Sequence, residues 1–449
     1  MYSFPLARRA CGARLFRGLV SSALLVGFAA SPVAAEPLSL QEAQRLAVAQ
    51  SGQLLANDAA ARAARDMAVA AGQLPDPVLR LGIDSLPVSG PDRLSLTRDF
   101  MTMRRIGLMQ EITRSDKRQL RSERFEREAE RVQAQRQLTR AAVERDTALA
   151  WLERYYAQAM RALLLQQLDE TRLQEQGASV TFREGRGSQA DVFAARAALI
   201  EVEDRLSQTD RQARNASLML TRWIGDAAKR PLAGQPAWQS SVLEQTLTAD
   251  HFRQHPQLAV PAALLNTAET EARLAQANTR SDWTVEAAYQ QRGPAYSNMV
   301  SIGVSIPLQW DQKSRQNREL ASRLALADEA RANYEDALHA HEAEVRGLIN
   351  DWKTGKERVA RYNTQMIPVA GQRSAAAQTT YRTGRGELSS VLTARREEID
   401  TRLQALALEL ETARLWAQLN YLAPQPDAAS RGASSQPDTN TNTTTKGQP

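Results

Sequence analysis

The sequence predicts a mainly helical protein in which long helical hairpins, present twice, are combined with a few β-strands. Three observations indicate this: two proline-poor stretches of strong helix formers, two pairs of segments with alternating apolar residues, and an internal repeat. The chain has 449 residues, 43% hydrophobic and 24% charged, as in a folded globular chain. One cysteine and four histidines argue against a disulfide scaffold, an iron–sulfur protein and a cysteine- or histidine-rich metal centre.

Residues 1–35 have the features of a secretory signal peptide. Four arginines precede and flank an apolar segment from Leu19 to Ala30, and Val33 and Ala35 suit a cleavage site. Cys11 lies before the apolar segment, whereas a lipid-anchored cysteine would follow it, so we expect Cys11 to be removed. Because this segment holds four arginines and no acidic residue, its loss lowers the net charge from +6 to +2. Nucleic acid is therefore not an expected partner.

The stretch from Ser115 to about Glu184 predicts one very long helix. Its apolar residues recur mostly at spacings of three, four or seven, which is typical of a coiled coil. About seventy helical residues span roughly 105 Å, which exceeds the size of a globular domain. A Gly-Arg-Gly turn follows, and then Ser188 to about Ile224 predicts a returning helix. This helix and an upstream helical segment at Leu40–Leu74 together match the long helix in length, so we expect them to stack end to end along it.

Alternating residues predict two strand hairpins. Leu79–Ile83 is followed by Arg104–Ile112 after a polar loop, and Trp283–Gln290 is followed by Val300–Ile306. Outside the signal no segment approaches 18 uninterrupted apolar residues, so any membrane-spanning part is expected to be a closed β-barrel. Four strands are too few to close a barrel. Either several copies share one barrel, or the hairpins lie outside the membrane.

Residues 181–200 and 380–399 repeat one another. Nine of the twenty positions are identical at a constant offset of 199, including both Gly-Arg-Gly turns. Ile106-Gly107-Leu108 likewise matches Ile302-Gly303-Val304. The predicted organisation is a signal peptide at 1–35, two repeats at 36–235 and 236–423, and a disordered tail at 424–449. The first repeat has strands within 78–112 and its hairpin tip at 185–187. The second repeat has strands within 283–308 and its hairpin tip at 384–386.

The two repeats resemble the outer membrane efflux (TolC-like) family. The matching positions are Phe182, Gly185, Asp191, Val192 and Ala195 in the first copy, and Tyr381, Gly384, Ser390, Val391 and Ala394 in the second. The resemblance covers about residues 38–422. It implies a homotrimer in the outer membrane. Each protomer would contribute four strands to a shared twelve-stranded transmembrane β-barrel. The helical hairpins of the three protomers would form a trimeric α-helical barrel across the periplasm. It further implies a passive exit duct, with no enzymatic activity and no cofactor, that works with a periplasmic adaptor protein, an inner membrane efflux pump and outer membrane lipid.

The resemblance also places functional residues at the hairpin tips. The implied adaptor contacts are Gly185, Arg186, Gly187, Gly384, Arg385 and Gly386. Asp191 and Tyr381 match positions that resemble the gate-closing pair of the family. Each assignment has a structural alternative. Ser188 and Asp191 have the spacing of a helix-capping box, the glycines suit a turn with positive φ, and the two arginines could be solvated turn charges.

Three methionines suggest a cargo. Met101, Met103 and Met109 share odd numbering with Gly107, so one strand would place them on the same face as this glycine. Thioethers bind soft cations such as Cu(I) and Ag(I), and the alternative is unspecific packing in the barrel or a loop, which is the more usual role of a methionine. Because residues 75–118 resemble the heavy-metal branch of the family, the prediction is export of copper or silver.

Other functions remain alternatives. A channel for drugs or organic compounds is one, and a periplasmic coiled-coil scaffold or adaptor is another. No catalytic residue and no metal site is predicted in the chain itself. His339 and His341 are two residues apart on a predicted helix and do not share a face, so both are expected to be exposed to solvent.

Overall fold

The computed structural model describes residues 36–235, 237–241, 252–253 and 255–423. The predicted signal peptide and the predicted disordered tail lie outside these residues. All elements given below belong to one unit that begins at Pro37. Within the described ranges, no helix is both long and apolar enough to span a bilayer.

The first half of the chain follows the predicted order closely. Its elements are α1 (Leu40–Gln50), α2 (Gly52–Ala71), β1 (Val78–Asp84), β2 (Met103–Ile112), α3 (Ser115–Arg183) and α4 (Gln189–Ile224). The segment predicted as one helix from Leu40 to Leu74 is instead two helices that meet at Ser51. The reason is local, because the Ser51 hydroxyl accepts a hydrogen bond from the Leu54 N–H and so begins a new helix.

The second half repeats this order with one interruption. Its elements are α5 (Pro256–Asn278), β3 (Trp283–Gln291), β4 (Met299–Ser305), α6 (Gln316–Arg361), α7 (Ile367–Arg382) and α8 (Leu388–Asn420). A π-helical segment, Tyr362–Met366, joins α6 to α7. Pro368 lies just beyond it and has no N–H to donate, which disfavours the regular α-helical bond to the residue four positions earlier. The second long helix is therefore interrupted where the first is continuous.

The four strands form one antiparallel sheet in the order β1-β2-β3-β4. Strands β2 and β3 join the two halves of the chain, with Ile106 opposite Tyr289. One face of the sheet is apolar and exposed. It carries Leu79, Leu81, Ile83, Ile106, Leu108, Tyr289, Val300, Ile302 and Val304. The sheet lies at one end of the helices, because each strand is continued by a helix at the end opposite its connecting loop.

The shorter helices stack along α3 as predicted. Helices α1 and α2 contact its first half, where Gln44 donates to the Glu144 carbonyl and Asn57 donates to Thr139. Helix α4 contacts its second half, where Arg161 pairs with Asp210. The long helix therefore spans from the sheet to the first hairpin tip.

The main hydrophobic core surrounds the middle of the long helices. Trp151 and Trp352 are fully buried there, on α3 and α6. The Trp151 indole N–H donates to the Leu38 carbonyl at 3.1 Å, and the Trp352 indole N–H donates to the Trp238 carbonyl at 3.0 Å. Each tryptophan thus holds a connecting segment against the helices, because a buried indole N–H needs an acceptor.

Candidate functional site

Both hairpin tips have the same backbone turn. Gly185 and Gly384 have φ of 74° and 73°, a region that residues with a Cβ rarely occupy. The N–H of Arg186 donates to the Thr181 carbonyl at 3.0 Å. In the second tip, the Arg385 N–H makes the equivalent bond at the same distance. The predicted positive φ is confirmed at both turns.

The last glycine of each turn lies against the preceding helix. A Cβ on Gly187 would lie 3.2 Å from Thr181 Cγ2, and one on Gly386 would lie 3.0 Å from Thr380 Cγ2. Both contacts are closer than ordinary van der Waals distance, so a side chain here would force the neighbouring threonine to shift. The last glycine of each turn is favoured by this close approach, and Gly185 and Gly384 by their positive φ.

The tip arginines have different surroundings. Both are exposed. Arg186 forms an ion pair with Glu184 in its own turn. No ion pair or hydrogen bond of the Arg385 side chain occurs among the described residues. A pair between two exposed side chains contributes little to stability, so both guanidinium groups can contact another molecule.

Asp191 and Tyr381 do not form a pair within one chain. The Asp191 carboxylate accepts from the Ser188 N–H at 3.0 Å, and the Ser188 hydroxyl accepts from the Asp191 N–H at 3.1 Å, which completes the capping box of α4. Tyr381 packs instead into an apolar cluster between the two tips. Among the described residues no hydrogen bond joins these two side chains. The capping alternative for Asp191 is thus confirmed, and its role in a gate stays a prediction.

This tip cluster holds the two hairpins together. Its buried members are Ala178, Ala195, Leu388 and Val391, and Val192, Ala377, Tyr381 and Leu392 pack around them. The cluster draws residues from α3, α4, α7 and α8. The pattern of either hairpin alone does not reveal this cluster, although the repeated valines, Val192 and Val391, were a signal for it.

Farther from the tips than this cluster, a network of ion pairs connects α4 with α8. Arg205 pairs with Asp400 of the other hairpin and, at 2.9 Å, with Glu201 of its own helix. Arg396 reaches back to Glu201 at 2.9 Å. Four residues thus cross-link the two hairpins near their tips. The sequence alone does not reveal this network, because it joins helices that are far apart in the chain.

Equivalent apolar residues of the two hairpins differ in exposure. Phe193 and Ile200 of α4 are each 58% exposed. Their counterparts 199 residues later, Leu392 and Ile399, are half-buried and buried. The same positions are covered in the second hairpin and uncovered in the first, so the first hairpin carries an apolar surface that no described residue of the chain covers.

The face of the sheet opposite the apolar one is polar. It contains two of the three methionines that were predicted to contact a soft metal cargo. Met103 and Met109 lie on this face with Gly107, whereas Met101 precedes the strand. Met299, which the sequence analysis did not consider, lies on the same face. Arg105 pairs there with Glu286 and, at 3.7 Å, with Asp84. In the described part of the chain, no cluster of three or more acidic, histidine or cysteine side chains could hold a metal ion.

The expectation that His341 is exposed is wrong. His339 is exposed, but His341 is only 5% exposed because it faces the start of α5, where it contacts Phe252 and His255. His255 Nδ1 and His341 Nε2 are 2.8 Å apart, a hydrogen-bonding distance. His341 Nδ1 lies 3.8 Å from Glu344, too far for a hydrogen bond. Burial lowers the pKa of His341 below its ordinary value, so the neutral ring is favoured.

Comparison with known proteins identifies the fold. No family model matches the sequence, and no curated protein matches it. Among solved structures, the outer-membrane channel OprN superposes with a TM-score of 0.71 at 17% identity, over 86% of this chain and 90% of that one. CusC superposes with a TM-score of 0.74 at 14% identity, over 86% and 92%. The outer membrane protein VceC from Vibrio cholerae gives 0.71 at 18% identity, over 86% and 97%.

These similarities confirm the predicted fold at the level of one chain. The chain shares with these outer membrane proteins a mainly helical fold that contains a small antiparallel sheet. The shared barrel, the trimer and the heavy-metal branch stay predictions.

Proposed function

We propose that this chain is an outer membrane channel and acts as the passive exit duct of a tripartite efflux system. The observation that carries the proposal is the combination of an exposed apolar sheet face with two long helical hairpins, in a fold shared with outer membrane channels over 86% of the chain. The sheet would lie in the outer membrane, and the hairpins would extend into the periplasm.

The sheet has the dimensions and polarity of a membrane-spanning segment. The central strands β2 and β3 have 10 and 9 residues, the length at which tilted strands cross a bilayer, about 9–11 residues, whereas the edge strands β1 and β4 have 7 each. On the apolar face, Leu81 is 71% exposed and Ile302 is 77% exposed. Such a continuous exposed apolar surface is costly in water and favourable in lipid. Trp283 and Trp310, exposed at the helical end of the sheet, suit the membrane interface.

The two free edges of the sheet support a shared barrel. Within the described part of one chain, β1 and β4 each pair on one side only. Pairing of β4 from one copy with β1 of the next removes both edges, and three copies supply the twelve strands that the resemblance implies.

The uncovered surface of the first hairpin supports the same assembly. Leu392 of α8 packs in the tip cluster with residues of the first hairpin, and Ile399 is buried. Phe193 and Ile200 occupy the equivalent positions of α4 and are exposed. We infer that the second hairpin of a neighbouring copy covers Phe193 and Ile200. A surface that meets a different surface on the next copy forms a head-to-tail contact, and a rotation of one third of a turn between copies would close three of them into a ring.

The tips are the proposed contact with the periplasmic adaptor, which in turn joins an inner membrane pump. The exposed Gly-Arg-Gly turns form the far end of each hairpin, with Arg186 and Arg385 directed outward. Asp191 and Tyr381 are proposed to close the duct, and this function requires neighbouring copies because the two groups do not meet within one chain.

Copper or silver is the proposed cargo. Met103 and Met109 lie on the polar face of the sheet, which would line the duct. Three copies would then offer six thioethers along the exit, which are weak ligands for soft monovalent cations. Selection of the cargo would rest with the pump.

The first experiment tests the assembly and its location. The expressed protein is separated by membrane fractionation, cross-linked, and run unboiled and boiled on denaturing gels. An outer membrane trimer that dissociates on boiling is the expected result. A periplasmic monomer would refute the proposal and favour the scaffold alternative.

The second experiment tests the cargo. Replacing both Met103 and Met109 by Leu keeps the volume and removes the thioether, so copper and silver sensitivity should rise in a strain that depends on this channel. Met67→Leu, on α2 and exposed, is the matched control. Unchanged metal resistance in the double variant would show that the thioethers do not contribute to export, and packing would then be the role of these methionines.

A further inference from the structure

Two arginines at the loop end of the sheet are not used by the proposed duct. Arg104 lies on the apolar face, where the register places it beside Ile83 and Gln291. Every other β2 residue on this face from Ile106 to Ile112 is apolar except Gln110. Arg292 directly follows β3 at the same end. Two charged residues therefore lie at the end of the sheet opposite the helices, Arg104 on the apolar face and Arg292 just beyond β3.

The two arginines form one small site. An Arg104 Nη2–H donates to the carbonyl of Arg292 at 3.3 Å, and the Arg292 guanidinium donates to the carbonyl of Phe100. The Arg292 guanidinium also lies over the ring of Tyr296, 5.1 Å from its centre. These contacts fix both side chains at the loop end of the sheet. Their partners are carbonyl oxygens and an aromatic ring, which carry no formal negative charge, so both arginines keep an unneutralised positive charge.

The acidic side chains at this end are engaged elsewhere. The contacts are Asp84 with Arg105 at 3.7 Å, Asp92 with Arg98 at 3.6 Å, and Asp99 with the N–H groups of Met101 and Thr102. Among the described residues, neither Arg104 nor Arg292 has a carboxylate partner. The Nε of each also lacks an acceptor. The site is therefore an uncompensated double positive charge beside an apolar surface.

We propose that Arg104 and Arg292 bind a phosphate group of lipopolysaccharide in the outer leaflet of the outer membrane. A guanidinium matches the oxygens of a phosphate in a bidentate fashion, and cationic residues at the edge of a membrane-embedded surface recognise anionic lipid headgroups. Tyr289, one layer below Arg104 on the apolar face, would lie along the acyl chains. The assignment to the outer leaflet rests on the proposed function, since a periplasmic helical region leaves the loop end of the sheet outside.

The probe is bisphosphorylated lipid A, added to the purified protein in detergent and followed by native mass spectrometry. The wild-type protein should retain lipid A, and the double variant Arg104→Gln with Arg292→Gln should retain at least fivefold less. Arg80→Gln is the matched control, because Arg80 lies on the polar face of the same sheet and pairs with Glu286. This control should retain lipid A as the wild-type protein does.

Two results would overturn the assignment. One is equal retention by the double variant and the wild-type protein. The other is equal retention of dephosphorylated lipid A or of phosphatidylglycerol, which would show that the lipopolysaccharide phosphate is not what is recognised. Outer membrane fractionation of the same variants separates this failure from that of the proposed function. If the wild-type protein does not reach the outer membrane, the duct proposal fails; if it does and the arginines have no effect, only this inference fails.

Discussion

The two hairpin tips share one backbone turn but differ in what covers their side chains. Gly185 and Gly384 have nearly the same φ, and the turn hydrogen bonds agree closely. At the first tip, Phe182 and Phe193 are exposed, whereas their counterparts Tyr381 and Leu392 pack into the tip cluster. Duplication preserved the turn, and the neighbours of each copy decide which equivalent residues are buried.

The difference extends to how the returning helices begin. Helix α4 starts with the capping box of Ser188 and Asp191, while Glu387, the residue before α8, provides no side-chain cap. Leu388 of α8 is buried in the tip cluster, and its equivalent, Gln189, is exposed. The first returning helix is thus stabilised by local hydrogen bonds, and the second by packing against the other hairpin.

The largest expected effect is on this packing. Leu388→Ala should destabilise the tips by about 3 kcal/mol, because it leaves a cavity among Ala178, Ala195 and Val391. Hydrogen exchange of the tip amides, measured on the purified protein, would show the increased opening. The matched control is Gln189→Ala, the equivalent exposed position, which should change exchange little. Equal effects of the two changes would contradict the asymmetry.

The turn glycines should have the next largest effect, and it should be similar at both tips. Gly185→Val or Gly384→Val places a β-branched residue at positive φ, at a cost of about 1–3 kcal/mol each. Efflux should weaken while the unboiled trimer band persists. Gly177→Ala, within α3 and with nothing near its added Cβ, is the control and should be tolerated. Full efflux in both valine variants would argue against the tips as the adaptor contact.

Loss of a helix cap should affect only the first tip, because only α4 has a side-chain cap. Ser188→Ala removes the hydroxyl that accepts from the Asp191 N–H and should cost about 1 kcal/mol, seen as faster exchange in the first turn of α4. Glu387→Ser would supply the missing cap at α8 and should slow exchange there. If Ser188→Ala left α4 unchanged, the capping box would not be what stabilises its start.

The smallest effect on stability should come from changes in the exposed apolar surface of the first hairpin. Here the measured quantity is the yield of trimer. Phe193→Ser should change the stability of one chain by no more than about 0.5 kcal/mol, because the ring is exposed within it. It should reduce the cross-linked trimer, because a neighbouring copy would lose this contact. Leu392→Ser, at the equivalent half-buried position, should instead loosen the tip within each chain. A normal trimer yield for Phe193→Ser would exclude this surface from the interface.

Local patterns predicted most of the fold. The start of α3 at Ser115, the turn at 185–187 and the alternation in β3 all depend on residues close in sequence, and the structure places them as predicted. The break at Ser51 was missed because a cap inside a continuous apolar pattern resembles ordinary helix. The π-helical segment before Pro368 was missed because the helix continues through it with a changed hydrogen-bond pattern.

Contacts between distant segments could not be predicted in the same way. The pairing of Arg205 with Asp400 and the burial of His341 against His255 join residues from different helices. A single sequence shows which residues share a helix face but does not show which element packs on that face. The roles of Asp191 and Tyr381 depend on still more distant groups, since they would have to meet in another copy.

The pairing of β2 with β3 has a consequence for the order in which the chain matures. These strands bring together residues about 180 positions apart in sequence, such as Ile106 and Tyr289, so their contact forms slowly compared with the local hairpins. Until β3 emerges, β1 and β2 form only a two-stranded ribbon, which is marginally stable alone. If the chain is exported as proposed, the apolar four-stranded sheet cannot form before β3 and β4 have emerged, which would delay its aggregation during transit to the membrane.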